Sequence, residues 1–220
     1  MNVRLASLYS GGKDSAFSLY LAEQAGHVIT HILNIRSLKG DSWIFHTPNQ
    51  DAVPELARLM GKELICGTTG GSEEEDMNAL RTILSGLDVE GVVVGAVHSD
   101  YQWDRINMIC GDLGLKVIAP LWRKDQEMLM HEMIGANIKA MIVGVYADGF
   151  DESWLGRMID EDTLKDLNAL KKKHGISVMG EGGEYESLTI DSPLQSGPLR
   201  IRSSKKEWKN MSGTMTVDLY

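Results

Sequence analysis

The sequence is poor in cysteine and has no long apolar run. Among 220 residues only Cys66 and Cys110 are cysteines, and they form no Cys-x-x-Cys pair. This disfavours both a disulfide framework and a cysteine zinc site, and it favours a reducing compartment. The first residues lack the charged-then-apolar profile of a signal peptide, and no stretch approaches the roughly 20 apolar residues that cross a bilayer. We therefore expect a cytoplasmic protein with no membrane segment.

Positive charge is also scarce, because 22 lysines and arginines face 31 aspartates and glutamates, for a net charge of -9. Such a balance disfavours a general nucleic-acid surface, and we expect no direct contact with nucleic acid. It suits a small-molecule site or a basic protein partner, although an acidic surface also simply keeps proteins soluble.

Apolar runs alternate with amphipathic segments through the first half of the chain. The pattern predicts strands at residues 3–9, 28–35, 63–66, 91–97 and 116–119. Helices are predicted at residues 14–25, 51–60 and 99–113, with another opening at Ser72, where Glu75 completes a capping box. This alternation predicts an α/β fold, a doubly wound parallel sheet with right-handed crossovers.

The pattern changes after Pro120. Helices are predicted at 125–134 and 162–174, a strand at 140–146, and antiparallel strands at 187–191, 199–208 and 214–220. We therefore predict two domains, residues 1–123 and a smaller C-terminal α+β domain at residues 124–220. The sequence does not decide between a monomer and a homo-oligomer.

The most specific motif is Ser10-Gly11-Gly12-Lys13-Asp14-Ser15, which joins the first strand to the first helix. Its glycines allow backbone N–H groups to approach phosphate oxygens, and the helix N-terminus adds partial positive charge. Ser10 and Ser15 can donate hydroxyl hydrogen bonds, Lys13 can neutralise the departing charge, and Asp14 can hold Mg²⁺. The spacing is neither a Walker A loop nor GxGxxG. We interpret the segment as an ATP-phosphate site, with Lys13 and Asp14 as the catalytic residues.

This hexapeptide resembles the PP-loop of the ATP pyrophosphatases, a family with a HUP-like doubly wound fold. The resemblance implies that ATP is cleaved between its α- and β-phosphates while a carboxylate or carbonyl oxygen is adenylated. A nitrogen or sulfur nucleophile then displaces AMP. The loop alone leaves the acceptor open.

Other segments narrow the acceptor. They are HTPN at residues 46–49, GAVHSDYQ at 95–102, APLWRKDQE at 119–127, WLGR at 154–157 and GEGGEYES at 180–187. In this order, with the PP-loop, they resemble the diphthine–ammonia ligase family, close to its short archaeal-type form without fused C-terminal extensions. The resemblance implies amidation of diphthine on translation elongation factor 2 by ammonia, with release of AMP and pyrophosphate.

The remaining candidate residues follow from strand-end positions and from this resemblance. His46, Gly95 and Arg105 are predicted to join the nucleotide pocket. The predicted substrate-binding residues are Gly180, Glu181, Gly182, Gly183, Glu184, Tyr185 and Glu186. Their carboxylates suit the trimethylammonium or imidazole of diphthine, and the tyrosine ring could stack on such a cation. The alternative is a plain glycine turn with solvated carboxylates.

One segment departs from the family pattern, and two other functions stay open. Trp103 stands where the resemblance leads us to expect a lysine, in Tyr101-Gln102-Trp103-Asp104-Arg105. A PP-loop tRNA-modifying ligase is one alternative, but it would want paired cysteines or a basic surface. A non-catalytic ATP-binding sensor is the other, and it would not need the second glycine-rich loop.

Overall fold

The computed structural model describes residues 2–37 and 49–220. The strands are β1 (Arg4–Leu8), β2 (Val28–Ser37), β3 (Glu63–Thr69), β4 (Gly91–Val93), β5 (Lys116–Ile118), β6 (Lys139–Val145), β7 (Tyr185–Asp191), β8 (Ile201–Lys209) and β9 (Ser212–Leu219). The helices are α1 (Lys13–Gln24), α2 (Val53–Leu59), α3 (Glu73–Ser85), α4 (Asp100–Asp112), α5 (Gln126–Gly135) and α6 (Glu161–His174).

Within the described residues, the first five strands form one parallel sheet in the order β3-β2-β1-β4-β5. The chain builds outward from β1 to β3 and then returns to place β4 on the other side of β1. The carboxyl ends of β1 and β4 therefore meet at a switch point, which is where open α/β sheets bind ligands. The predicted parallel α/β fold is confirmed.

The second sheet is antiparallel, with the order β7-β6-β9-β8 among the described strands. Asn210 and Met211 make the two-residue turn between β8 and β9, and both have positive φ, at 52° and 63°. Two left-handed residues match the right-handed twist of a hairpin. This region is the predicted α+β part, whereas the division between residues 123 and 124 stays a prediction.

The two sheets share a hydrophobic core. One cluster of buried side chains begins under α1 with Phe17 and continues through α5 with Leu129 into β6 with Val143. A separate cluster, which includes Leu80 and Ile109, fills the other face of the parallel sheet beneath α3 and α4. The antiparallel sheet is thus fixed against one side of the parallel one.

The side chain of Asn49 joins the segment before α2 to the antiparallel sheet. Asn49, which precedes α2, donates from Nδ2 to the carbonyl oxygen of Met215 at 2.8 Å. Its Oδ1 accepts the N–H of Val217, also at 2.8 Å. A φ of 65° places Asn49 in the left-handed region, which asparagine tolerates better than most residues. The amide therefore occupies backbone groups of β9 that a neighbouring strand would otherwise use.

One predicted strand is shorter in the structure, and one predicted helix start is confirmed. The GVVVGAV run was predicted as a strand over residues 91–97, but β4 ends at Val93. Beyond β4 the chain passes the start of α1, where Gly95 packs against the backbone of Asp14 and Ser15. Ser72 and Glu75, in contrast, form the predicted capping box with both hydrogen bonds present. In the part of the chain that is described, no helix is long and apolar enough to cross a membrane.

Candidate active site

A cavity of about 550 Å³ opens at the carboxyl ends of β1 and β4. That volume lies within the usual range for small-molecule sites. Two segments supply much of its lining: the phosphate loop, Ser10–Ser15, and the glycine–glutamate loop, residues 180–186. The ends of β2 and β4 and the first turns of α4 complete the lining. The structure thus brings two distant sequence motifs to a single cavity.

The phosphate loop is shaped by its glycines and closed by its serines. Gly11 has a φ of +87°, in the region that favours glycine, and Gly12 is the N-cap of α1. The N–H of Gly12 donates to Ser10 Oγ at 3.3 Å, and Ser15 Oγ donates to the Gly12 carbonyl at 2.8 Å. Ser10, Gly12 and Ser15 line the cavity, while Gly11 lies behind them against Val53.

Gly95 supports the phosphate loop from behind. A Cβ at this position would lie 2.9 Å from the carbonyl carbon of Asp14 and 2.9 Å from the backbone nitrogen of Ser15. Both neighbours are backbone atoms, so no side chain can move aside to make room. Gly95 lines the cavity as predicted and fixes the position of the loop.

Lys13 is buried and bonds to the residue that precedes the glycine–glutamate loop. Its Nζ donates to the carbonyl oxygen of Met179 at 2.6 Å and pairs with Asp14 Oδ2 at 2.8 Å. The ammonium also lies 5.1 Å from the ring centroid of Tyr185. Burial lowers the pKa of Lys13, but Asp14, Tyr185 and Glu181 together raise it by more, so the pKa lies above its ordinary value. Lys13 is therefore a fixed positive charge.

Asp14 has one oxygen available to a ligand. Oδ2 is bound to Lys13, whereas Oδ1 is buried and has no hydrogen-bond partner among the described residues. The described chain contains no group of three or more His, Cys, Asp or Glu side chains suited to a metal. Mg²⁺ often binds through one or two carboxylates together with phosphates and water. Asp14 Oδ1 fits such a partial site.

Two residues of the glycine–glutamate loop support the loop itself. Glu184 accepts the backbone N–H of Ser177 at 2.7 Å and of Gly182 at 2.8 Å, and it does not line the cavity. Tyr185 is buried and donates its hydroxyl to the Val178 carbonyl at 2.7 Å. Burial raises the pKa of Tyr185 to about 12. These contacts hold the loop, so a direct role of either residue in substrate binding stays a prediction.

The other members of the loop do line the cavity. They are Gly180, Glu181, Gly182, Gly183 and Glu186, and Tyr185 lines the cavity as well. Glu181 Oε2 accepts the backbone N–H of His98 at 2.8 Å, which joins this loop to the segment after β4. Desolvation and the charge of Asp14 raise the pKa of Glu181, against the opposing effects of His98 and Lys13. The carboxyl groups of Glu181 and Glu186 make this part of the cavity acidic.

One predicted nucleotide residue, Arg105, does not line the cavity. Arg105 pairs with Glu73 at 2.6 Å, and its guanidinium carbon lies 3.3 Å from the ring centroid of Tyr101. It therefore packs between α4 and α3, and its nucleotide role stays a prediction. His46 lies outside the described residues.

Several lining residues were not predicted. They include Asn34, Gln50, Ser99, Gln102 and Ser187. Asn34 is the one with a sequence signal, because it is a polar residue inside the apolar run of β2, where it donates to the Tyr9 carbonyl at 3.0 Å. Ser99 and Gln102 start a helix, which gives no hint of a ligand.

Trp103, the departure from the expected lysine, stacks on Trp122. The two ring centroids are 4.4 Å apart and the planes differ by 8°. This contact joins α4 to the segment after β5. The indole ring of Trp103 thus covers the flat face of Trp122, and this stacking explains a tryptophan at position 103.

Family models match the two parts of the chain separately. The model described as diphthamide synthase N-terminal domain matches residues 3–117, and the model described as diphthamide synthase C-terminal domain matches residues 125–220. The chain belongs to the diphthamide synthase family. The family resemblance carried by the sequence motifs is confirmed.

Relatives in the diphthamide synthase family carry the name diphthine–ammonia ligase. The human protein is 36% identical, over 92% of this chain and 84% of its own length. The fission yeast protein is 34% identical over 87% of this chain, but the match covers 35% of its length. Large additional segments are therefore a feature of the yeast relative, and the human relative has little beyond the match.

Among solved structures, one described as a predicted subunit of tRNA methyltransferase from Methanocaldococcus jannaschii aligns with 86% of this chain and 97% of its own. The sequence identity is 14% and the TM-score is 0.48.

Proposed function

We propose that this chain is an ATP-dependent, amide-forming ligase that converts diphthine to diphthamide with ammonia. The observation that carries the proposal is the shared cavity, in which Lys13 of the phosphate loop bonds to Met179 beside the glycine–glutamate loop at 2.6 Å. Membership of the diphthamide synthase family and relatives named diphthine–ammonia ligase support the acceptor and the reaction.

The chemistry requires activation of a carboxylate. A carboxylate repels nucleophiles, and an acyl-adenylate replaces the oxyanion with a good leaving group. The N-terminus of α1 and the fixed charge of Lys13 can bind phosphate oxygens and stabilise the departing pyrophosphate. The chain's main task is then to hold ATP and acceptor together in one cavity.

Asp14 is the residue that we propose holds Mg²⁺, through Oδ1. The metal would neutralise phosphate charge when bound. Lys13 occupies the other carboxylate oxygen, Oδ2, so Asp14 would bind the metal through Oδ1 alone.

The carboxylates of Glu181 and Glu186 are proposed to receive the cationic acceptor. Both line the cavity. An acidic wall suits the trimethylammonium and imidazole groups of diphthine, by Coulomb attraction in a partly desolvated site. Glu184 is better explained by its two backbone hydrogen bonds.

The partners follow from this reaction. We propose ATP as co-substrate, ammonia as the nitrogen donor, and diphthine on translation elongation factor 2 as the acceptor, in the cytoplasm where translation occurs. The net charge of -9 supports a protein partner over a nucleic acid.

The test combines the purified chain with ATP, Mg²⁺, nitrogen-15 ammonium and elongation factor 2 that carries diphthine. We expect equal amounts of AMP and pyrophosphate, and one labelled nitrogen in the factor by mass spectrometry. ADP in place of AMP would contradict adenylation. Binding of ATP without any product would favour a sensor, and AMP release with tRNA as acceptor would favour a tRNA-modifying ligase.

A further inference from the structure

Strand β7 runs directly from the glycine–glutamate loop past the phosphate loop. The N–H of Thr189 donates to the Gly11 carbonyl at 2.8 Å. The N–H of Lys13 donates to Ser187 Oγ at 3.1 Å, and a Cβ on Gly12 would lie 3.4 Å from the Ser187 carbonyl oxygen. The antiparallel sheet therefore supplies one side of the phosphate site.

The hydroxyl of Ser187 has a hydrogen left to donate. Ser187 is 6% exposed and lines the cavity. Its oxygen accepts from Lys13, but no acceptor for its own hydrogen occurs among residues 2–37 and 49–220. A buried hydroxyl normally donates as well as accepts, because an unmet donor costs free energy. The Ser187 hydroxyl is therefore able to donate to a ligand in the cavity that this residue lines.

A serine in this position extends the helix N-terminus toward a ligand. The N–H of Lys13 is among the first N–H groups of α1, which have no partner within the helix. Ser187 takes up that N–H, and its own O–H then presents a donor further into the cavity. Such a donor, beside Gly12 and Lys13, is suited to a phosphate oxygen.

We propose that the hydroxyl of Ser187 binds the pyrophosphate portion of ATP, as a ligand that the C-terminal part of the chain contributes to the nucleotide site. This inference rests on the proposed function and deepens it. Ser187 directly follows Glu186, so one strand supplies residues to both the phosphate site and the acidic part of the cavity.

The test is calorimetric binding of ATP, pyrophosphate and AMP, each with Mg²⁺, to the full chain. In Ser187→Ala we expect ATP and pyrophosphate to bind about tenfold more weakly or worse, as for loss of a hydrogen bond to a charged group. AMP should bind unchanged, since it lacks the pyrophosphate. Ser187→Thr keeps the hydroxyl and suits a strand, so it should restore pyrophosphate binding.

Ser192→Ala is the matched control, because Ser192 is equally buried but bonds to Gln195. It should bind every ligand normally. Ser187→Cys, which keeps the volume but donates weakly, serves if the alanine variant does not fold. Unchanged pyrophosphate binding in both variants would overturn the proposal, as would an equal loss of AMP binding.

The two proposals fail separately. Absence of diphthine amidation, with pyrophosphate binding still dependent on Ser187, would remove the ligase function and leave this inference standing. Normal amidation with pyrophosphate binding independent of Ser187 would do the reverse.

Discussion

The phosphate loop and the glycine–glutamate loop line one cavity, yet they are held in different ways. The phosphate loop is held from outside, by Gly95 behind it and by β7 beside it. The glycine–glutamate loop has one external bond, from the N–H of His98 to Glu181, but Glu184 and Tyr185 hold it from within by bonding to its own backbone region. In the first loop the polar side chains line the cavity, whereas in the second Glu184 accepts backbone N–H groups and does not line it.

Removal of the Asp14 charge should give the largest effect. We expect Asp14→Asn to lower turnover roughly 100-fold or more, because charge stabilisation at the phosphates is lost. Stability should fall by roughly 1–2 kcal/mol, since Asp14 also pairs with buried Lys13. Steady-state AMP release and urea unfolding measure the two effects. Asp162→Asn, which breaks an exposed Asp–Lys pair, should change neither, and full activity in Asp14→Asn would exclude Asp14 from the mechanism.

Support of the phosphate loop from outside can be broken at Gly95. A methyl group there must displace backbone 2.9 Å away, so we expect Gly95→Ala to weaken ATP binding about tenfold or more and to destabilise the fold by about 1–3 kcal/mol. Calorimetry with ATP checks the affinity. Gly111→Ala is the control, because that helical glycine has nothing within 4 Å and should be neutral or slightly stabilising. Normal ATP affinity in Gly95→Ala would show that the loop tolerates displacement.

Internal support of the second loop depends on Glu184. The variant Glu184→Gln keeps one acceptor oxygen and loses the other, so we expect a loss of about 1–3 kcal/mol in the free energy of unfolding. ATP affinity should change less than in Gly95→Ala. Urea denaturation provides the measurement, with the exposed Glu132→Gln as the control. A variant as stable as the original chain would return Glu184 to the candidates for substrate binding.

The hydroxyl of Tyr185 should contribute less. Tyr185→Phe keeps the ring beside Lys13 and removes only the bond to the Val178 carbonyl, so we expect a loss of about 1 kcal/mol. Thermal unfolding compares it with Tyr220→Phe, whose exposed hydroxyl has no such bond in the described chain. If turnover falls much more than stability, the hydroxyl acts on the ligand and the division between the loops is wrong.

The smallest effect should be a pH dependence at Glu181. Since desolvation raises its pKa in the folded state, protonation favours folding, and stability decreases as pH rises from the ordinary glutamate pKa through the raised one. Glu181→Gln should therefore gain stability relative to the original chain at neutral pH, with the gain disappearing in acid. The free energy of unfolding, measured from about pH 4 to 8, checks the sign, because this range begins near the ordinary pKa of glutamate. The pKa of Glu73 is lowered by Tyr101 and Arg105, so its contribution to stability should instead increase as pH rises.

The sequence predicts the fold well because each element has a local cause. Alternation of apolar runs and helices specifies the parallel sheet, and Ser72 with Glu75 specifies a helix start. The end of β4 at Val93 could not be predicted from the local sequence. Gly95, two residues on, packs against Asp14 and Ser15, which are distant in sequence.

The site is predicted only in part, for a similar reason. The phosphate-loop residues are recognisable because their chemistry is local. The direction of a long side chain is not, so Arg105 packs with Glu73 and Glu184 bonds to its own loop. Ser187 gains its position from a pairing between β7 and the phosphate loop that no local pattern indicates.

The amide of Asn49 imitates one residue of a β-strand against β9, with one donor and one acceptor. Open strand edges invite pairing with other chains, and this is a common route to aggregation. By filling the backbone groups of Met215 and Val217, the amide removes a place where a foreign strand could add. Asn49 thus covers this part of the edge of β9 against the addition of a foreign strand.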